Sequence, residues 1–280
     1  MNKLRFKLKL FALCVPAFAG FALFFVWPFG KTVWYSLIND VFNKKFVFFE
    51  NYITVLNNEY YRLALKNTLI FSVAGIGLLM LISLTLSLGL SRIDKRLKFL
   101  QSAFIAPMLL PTAGIIFVWQ MAFLNDTYFY MMKDGTASAF FQIIPIYLLF
   151  LWKNTGINVI LLTAALTQIP GEVLEAAALD GAKGFRLYRS VTIPLITPSL
   201  FFVFVLSFVN SLKIFKESYL FYNTNYPPEP AYTVQYYMNN HFFKLNYQNL
   251  STGVIIFTFI VALVIFIAYR VENRAIRNVF

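Results

Sequence analysis

Six long apolar runs constrain the fold of this 280-residue sequence more than any other feature. Each run holds about twenty residues, and a helix of that length spans the hydrocarbon core of a bilayer. Hydrophobic residues make up 59% of the chain and charged residues 13%, which excludes an ordinary soluble domain. The sequence therefore predicts an all-α integral membrane protein, with six transmembrane helices in one domain covering residues 1–280. The predicted spans are residues 8–29, 68–90, 100–123, 143–166, 195–216 and 253–269.

The distribution of basic residues predicts the orientation of these spans, because cytoplasmic loops carry an excess of lysine and arginine. With the N-terminus in the cytoplasm, the cytoplasmic segments hold fourteen basic and five acidic residues, and the external segments hold seven of each. Both termini are therefore predicted to be cytoplasmic. The net charge of +12 is mostly this topology signal, and no nucleic-acid partner is needed to explain it. The predicted cytoplasmic segments are 1–9, 91–99, 167–194 and 270–280.

The polar segment between the fourth and fifth runs, residues 170–194, is predicted to be a soluble hairpin of two short helices. A proline and two acidic residues suit the first turns of a helix. Three alanines then leave its backbone open to close approach, and two glycines permit a turn. The pattern predicts a small, rigid, exposed helix that a partner protein can bind. These residues are Pro170, Glu172, Glu175, Ala176–Ala178, Gly181 and Gly184.

This hairpin resembles the cytoplasmic coupling loop of ABC-importer permeases. The pattern is EAA, then LDGA, then a gap of ten residues to a proline-containing IPL segment. The N-terminal half of the chain also agrees with the carbohydrate-uptake (maltose/oligosaccharide-type) branch, in the order seen in the first of its two permease subunits. The matching residues are Glu175-Ala176-Ala177, Leu179-Asp180-Gly181-Ala182, Ile193-Pro194-Leu195 and Pro198, with Pro28, Tyr35-Ser36, Phe49-Glu50-Asn51-Tyr52 and Asn67-Thr68 in the N-terminal half.

The resemblance implies a non-catalytic, multi-pass permease subunit in a bacterial cytoplasmic membrane. Its implied partners are a second permease subunit, two ATPase subunits and an extracellular or periplasmic solute-binding protein. ATP and Mg would be bound by the ATPases, whose hydrolysis drives a saccharide across the membrane, and this chain would bind no cofactor or metal. The implied ATPase-coupling residues are Glu172, Glu175, Ala176, Ala177, Asp180, Gly181 and Ala182.

Catalytic motifs are missing from the sequence. No stretch matches G-x-x-x-x-G-K-[ST], so the chain has no phosphate-binding loop of its own. One histidine and one cysteine, in different regions, make no catalytic set. A secondary transporter remains an alternative, but it would predict inverted repeats and ionisable coupling residues, and an ABC permease for a non-sugar solute is a second alternative.

Polar side chains within the fourth and fifth runs predict a substrate path. Asn154 and Asn158 share one helix face at a spacing of four residues. In the permeases that this chain resembles, the corresponding stretches line the translocation path. From the residues alone, the amides can instead join helices by hydrogen bonds. The predicted path residues are Lys153, Asn154, Asn158, Ser207, Asn210, Ser211 and Lys213.

Lys153 is the predicted path residue whose charge is the most costly to place inside a membrane. An ammonium group in mid-bilayer costs roughly 3 kcal/mol or more unless it faces water or a partner. No acidic residue lies three or four positions from Lys153, whereas Lys213 has Glu217 four positions on. For Lys213 the sequence leaves two possibilities open, an ion pair with Glu217 and a place on the substrate path. For Lys153 it predicts contact with either the partner permease or an anionic group of the cargo, and the second possibility favours an acidic oligosaccharide.

Overall fold

The computed structural model describes residues 3–40, 43–91, 104, 106–123 and 138–277. These residues form an all-helical fold, as predicted, with one isolated β-bridge between Ile38 and Phe46. The first helix, α1 (Lys3–Phe21), continues through a π-helical turn at Ala22–Val26 into α2 (Trp27–Ser36). The other helices of eight or more residues are α3 (Glu50–Asn57), α4 (Glu59–Leu90), α5 (Thr112–Phe123), α6 (Ala139–Thr167), α7 (Gly171–Leu179), α8 (Thr197–Leu212), α9 (Phe215–Tyr222), α10 (Val234–Phe243) and α11 (Tyr247–Arg277).

Five helical segments among the described residues are long and apolar enough to cross a membrane. They correspond to five of the six predicted spans. The span predicted at 100–123 is described mainly as α5, whose twelve residues are too few to cross a bilayer alone. Residues 92–103 lie outside the described residues, so the six-span count and the cytoplasmic termini stay predictions. The five segments are Leu13–Ser36, Glu59–Leu90, Ala139–Thr167, Thr197–Tyr222 and Tyr247–Arg274.

The chain divides into two compact units, the first of which comprises residues 1–62 and 237–260. In this unit Asn51 fixes the chain that follows α2. Its side-chain nitrogen donates to the carbonyl oxygens of Ser36 at 3.0 Å and Ile38 at 2.8 Å. The hydroxyl groups of Ser36 and Tyr52 lie 2.8 Å apart. Asn51 and Tyr52 of the N-terminal sequence pattern thus satisfy backbone and side-chain groups at the end of a helix.

The second unit comprises residues 63–236 and 261–280. The Asn67-Thr68 pair of the sequence pattern anchors the segment that follows α9. The Asn67 side chain donates to the carbonyl oxygens of Glu229 and Tyr232, and the Thr68 hydroxyl accepts from the backbone N–H of Val234 at 3.0 Å. The hydrophobic core of this unit is formed by Phe71, Leu79, Ile115, Ile116, Ile146, Leu149, Phe150, Ile214 and Phe221.

Gly156 marks a close backbone approach in the second unit. A Cβ atom at this position of α6 would lie 1.6 Å from the carbonyl oxygen of Phe104. We expect Gly156→Ala to lower stability by about 1–3 kcal/mol, as overpacked substitutions do, because backbone has to move. Thermal unfolding of the purified chain in detergent measures the effect. Gly77→Ala on α4 is the control, since no atom beyond the neighbouring backbone of its own helix lies within 4 Å of its Cβ position. Equal midpoints for the two variants would contradict the prediction.

Candidate functional site

The hairpin after α6 presents α7 as an exposed helix. Pro170 immediately precedes this helix in an extended conformation, with φ −60° and ψ 134°, and none of the helix residues is buried. Of the predicted coupling residues, Glu172, Glu175, Ala176, Asp180 and Gly181 are exposed, and Ala177 and Ala182 are half-buried. The described part of the chain therefore leaves most of α7 accessible to another protein.

The C-terminal end of α7 is closed by two backbone hydrogen bonds. The N–H of Ala182 donates to the carbonyl of Ala177 at 2.9 Å, and the N–H of Gly181 donates to that of Ala178 at 3.1 Å. This is the Schellman arrangement, which requires a left-handed residue at the turn. Gly181 supplies it with a φ of 84°, and Gly184 turns the chain again with a φ of 55°. The predicted turn at these two glycines is confirmed.

Two large apolar side chains project from the hairpin. Leu179 is 90% exposed and Phe185 is 76% exposed. Exposed apolar side chains that are rimmed by polar residues mark protein interaction sites when they form a contiguous patch. Leu179 and Phe185 lie on either side of the turn, and Glu175 and Asp180 are exposed nearby in the sequence. The hairpin therefore presents both apolar and acidic side chains to the solvent.

Amide and hydroxyl side chains join α6 to α8 inside the second unit. Asn158 donates to the Ser207 hydroxyl at 2.8 Å, and Asn210 donates to the Asn154 side-chain oxygen at 2.9 Å. The Ser211 hydroxyl lies 2.9 Å from that of Ser72 on α4. Hydrogen bonds of this kind hold helices together in membranes.

Lys153 has a partner within the chain. Its Nζ lies 2.5 Å from Oε1 of Glu217 on α9, with the lysine side chain 23% exposed and the glutamate side chain 9% exposed. Lys153 therefore has a counter-charge within the chain, which the sequence did not predict, and its contact with the cargo or the partner permease stays a prediction. Of the two possibilities for Lys213, the ion pair with Glu217 does not form within the described residues, where Glu217 pairs with Lys153.

A break between α8 and α9 explains this difference. α8 ends at Leu212 and α9 begins at Phe215, so the four-residue spacing from Lys213 to Glu217 does not lie on one continuous helix. Lys213 is exposed and makes no salt bridge within the described residues. The carboxylate of Glu217 is turned instead towards α6.

A polar cavity of about 200 Å³ lies beside this ion pair. It brings together four of the predicted path residues, namely Lys153, Asn154, Asn210 and Lys213. It does not include Asn158, Ser207 or Ser211, which are buried between helices. The sequence did not predict the other lining residues as part of this site, although an acidic residue just after an apolar run, Glu217, pointed to one of them. These other residues are Thr112, Ile214, Lys216 and Glu217.

Comparison of the sequence with known proteins gives one family match and several relatives. Residues 81–278 match the family described as "Binding-protein-dependent transport system inner membrane component". The sn-glycerol-3-phosphate transport system permease protein UgpA of Yersinia pestis is 33% identical over 217 residues, which is 71% of each chain. The trehalose/maltose transport system permease protein MalF of Thermococcus litoralis is 27% identical over 301 aligned positions, covering 99% of each chain.

Comparison of the fold gives a solved structure of similar architecture. It is a chain of a bacterial ABC transporter involved in the import of the acidic polysaccharide alginate, with a TM-score of 0.79. The alignment covers 98% of the present chain and 99% of the other, at 18% sequence identity. A second structure, that of a bacterial alginate ABC transporter in complex with an alginate pentasaccharide-bound periplasmic protein, has a TM-score of 0.77 at 19% identity, covering 97% and 96% of the two chains. At this level of identity the likeness shows the fold alone.

Proposed function

Since this chain belongs to the family of inner membrane components of binding-protein-dependent transport systems, we propose that it is the permease subunit through which an ATP-driven importer moves saccharides. The chain itself is a non-catalytic membrane subunit. The proposed assembly contains a second permease, two ATPase subunits that bind ATP and Mg, and a solute-binding protein. Its proposed location is a bacterial cytoplasmic membrane, and the chain crosses that membrane six times with both termini inside.

The exposed hairpin is the proposed contact between this chain and an ATPase subunit. α7 has no buried residue, and its end is fixed by the left-handed turn at Gly181. A short helix with a fixed end and exposed side chains suits the docking of a partner protein, whose movement it passes to the spans on either side of the hairpin. We therefore assign ATPase docking to the exposed side chains of Glu172, Glu175, Ala176 and Asp180, with Ala177, Gly181 and Ala182 forming the turn that holds them.

The polar cavity carries the cargo part of the proposal. We assign cargo contact to Lys153, Asn154, Asn210 and Lys213, because these polar and charged side chains line one cavity between helices. The hydrogen bonds of Asn158, Ser207 and Ser211 favour a helix-joining role for those residues. Saccharide cargo is supported by the trehalose/maltose permease among the relatives and by the alginate transporter among the structures of similar fold.

A phosphorylated polyol is the second candidate cargo. The relatives with 33% identity are named for sn-glycerol-3-phosphate, which carries one anionic phosphate on a short polyol. The lysines of the cavity suit such a group as well as an acidic sugar. Uptake assays that compare acidic trisaccharides, neutral trisaccharides and sn-glycerol-3-phosphate separate the two cargo classes.

The dependence on partner subunits gives a direct test of the proposed function. We expect vesicles that hold the complete complex to accumulate saccharide only with ATP and the solute-binding protein. Vesicles that hold this chain alone should neither hydrolyse ATP nor take up cargo, because the sequence has no phosphate-binding loop. Accumulation by the chain alone under a proton or sodium gradient would contradict the proposal and favour a secondary transporter.

A further inference from the structure

The polar cavity of the second unit has an excess of positive charge. Three lysines, Lys153, Lys213 and Lys216, line it together with a single carboxylate, that of Glu217. The lining therefore has a formal charge of +2. Such an excess in a membrane-spanning region is unfavourable unless it faces water or meets an anion. The cavity is therefore an attractive place for an anionic group.

The ion pair between Lys153 and Glu217 leaves bonding capacity on the lysine. An ammonium group has three N–H donors. Within the described residues Lys153 has one acceptor, Oε1 of Glu217. The lysine is also the more exposed partner, whereas the carboxylate lies deeper among the helices. An incoming anion can therefore approach Lys153 from the cavity while Glu217 is still in contact with it.

The size and lining of the cavity restrict what binds there. A volume of about 200 Å³ is below the roughly 300–1,000 Å³ of pockets for drug-sized ligands. It accommodates one charged group and the polyol atoms next to it, and a longer chain has to extend beyond the cavity. Asn154 and Asn210 line the same space. The Asn154 amide already bonds the Phe150 carbonyl and Asn210, so Asn210 is the amide that suits contact with a cargo hydroxyl.

We propose that Glu217 is an exchangeable counter-ion that neutralises Lys153 when the path is empty. During passage an anionic group of the cargo (a carboxylate, sulfate or phosphate on a polyol) takes its place on Lys153, and the Glu217 carboxylate turns to Lys213 or Lys216, which line the same cavity. The proposal rests on the proposed function, because it deepens the assignment of the cavity to the cargo path. Lys213 and Lys216 attract the anion, and Lys153 holds it. Glu217 then sets the selectivity, since a neutral cargo cannot displace a carboxylate from an ammonium group.

Equilibrium binding to the nucleotide-free complex, without the solute-binding protein, tests this exchange. The main probes are trigalacturonate and its carboxyl-reduced trisaccharide, which match in length and linkage. Two further probes, sn-glycerol-3-phosphate and inorganic phosphate, are measured separately. We expect trigalacturonate to bind at least about tenfold more tightly than its neutral counterpart, because only the acidic sugar brings a charge that attracts Lys153. Tighter binding of sn-glycerol-3-phosphate would support exchange with a phosphate as the cargo group. Inorganic phosphate that binds as tightly as either probe would overturn the assignment to cargo.

Two variants separate exchange from simple net charge. Glu217→Gln removes the competitor, and trigalacturonate should then bind about tenfold more tightly. The double variant Lys153→Gln/Glu217→Gln keeps the net charge of the cavity and leaves no buried charge unpaired, yet it should bind trigalacturonate about tenfold more weakly than wild type. Lys66→Gln, at an exposed lysine of α4 outside the cavity lining, is the matched control and should change nothing.

The outcomes distinguish this inference from the proposed function. Wild-type binding that is equal for the acidic and neutral trisaccharides, or a double variant that binds as wild type does, would show that the ion pair is only structural. The proposed function, ATP-driven saccharide uptake, would still stand after that result. Conversely, a complex that takes up no saccharide at all would contradict the proposed function, whatever the binding constants of the variants.

Discussion

A complex that carries Gly181→Val should insert and assemble in the membrane but take up no cargo. Gly181 has a φ of 84°, a region that a β-branched residue adopts only with strain on the order of 1–3 kcal/mol. Valine would open the turn that closes α7, and the exposed docking face would lose its fixed orientation. Cargo uptake by vesicles of the reconstituted complex, together with co-purification of the ATPase subunits, measures the effect.

Two companion variants identify the cause of the loss. Gly181→Asn should keep most of the uptake, because asparagine tolerates the left-handed conformation. Gly171→Val makes the same substitution at the start of α7, where φ is not positive and no atom lies within 4 Å of the added Cβ, and it should leave the turn intact. Full uptake by Gly181→Val would contradict the coupling role of the hairpin. Loss of uptake in both Gly181→Val and Gly181→Asn would show that any side chain at this position interferes with the ATPase, whatever the backbone conformation.

The parts of the fold that follow from local chemistry were predictable. A run of apolar residues must form a helix in a membrane because its backbone groups need internal partners, and five of the predicted runs are long apolar helices. The helical hairpin was equally predictable, since a left-handed turn favours glycine and the sequence places Gly181 directly after the alanine-rich helix. The bounds were less accurate: α4 begins at Glu59 rather than residue 68, because hydropathy detects only the apolar part of a longer helix.

The polar cavity was only partly predictable, because the ion pair that lines it joins residues far apart in the sequence. Lys153 and Glu217 are 64 positions apart and meet only because α9 turns away from α8 after Leu212. No periodicity in the sequence encodes that break, so the four-residue rule suggested the wrong lysine as a partner for Glu217. The amides on α6 and α8 could be recognised as functional or structural polar groups, but their choice of partners depends on helix packing.

The ion pair between Lys153 and Glu217 gives the largest expected effect on stability. In Lys153→Met the carboxylate of Glu217 remains buried between helices without its partner. Breaking a buried pair from one side typically lowers stability by about 3–5 kcal/mol. We therefore expect a marked fall in the midpoint of thermal unfolding of the chain in detergent. The double variant Lys153→Met/Glu217→Leu should recover most of that loss, because it leaves no unpaired buried charge.

Lys213→Met provides the matched control for this effect. Lys213 lines the same cavity, but it is exposed and makes no salt bridge within the described residues, so its removal should change stability by no more than about 0.5 kcal/mol. The difference between the two lysine variants then measures pairing rather than loss of a positive charge. Equal unfolding midpoints for Lys153→Met and Lys213→Met, or a double variant that is less stable than Lys153→Met, would contradict the pairing of Lys153 with Glu217, because the carboxylate would then have another partner.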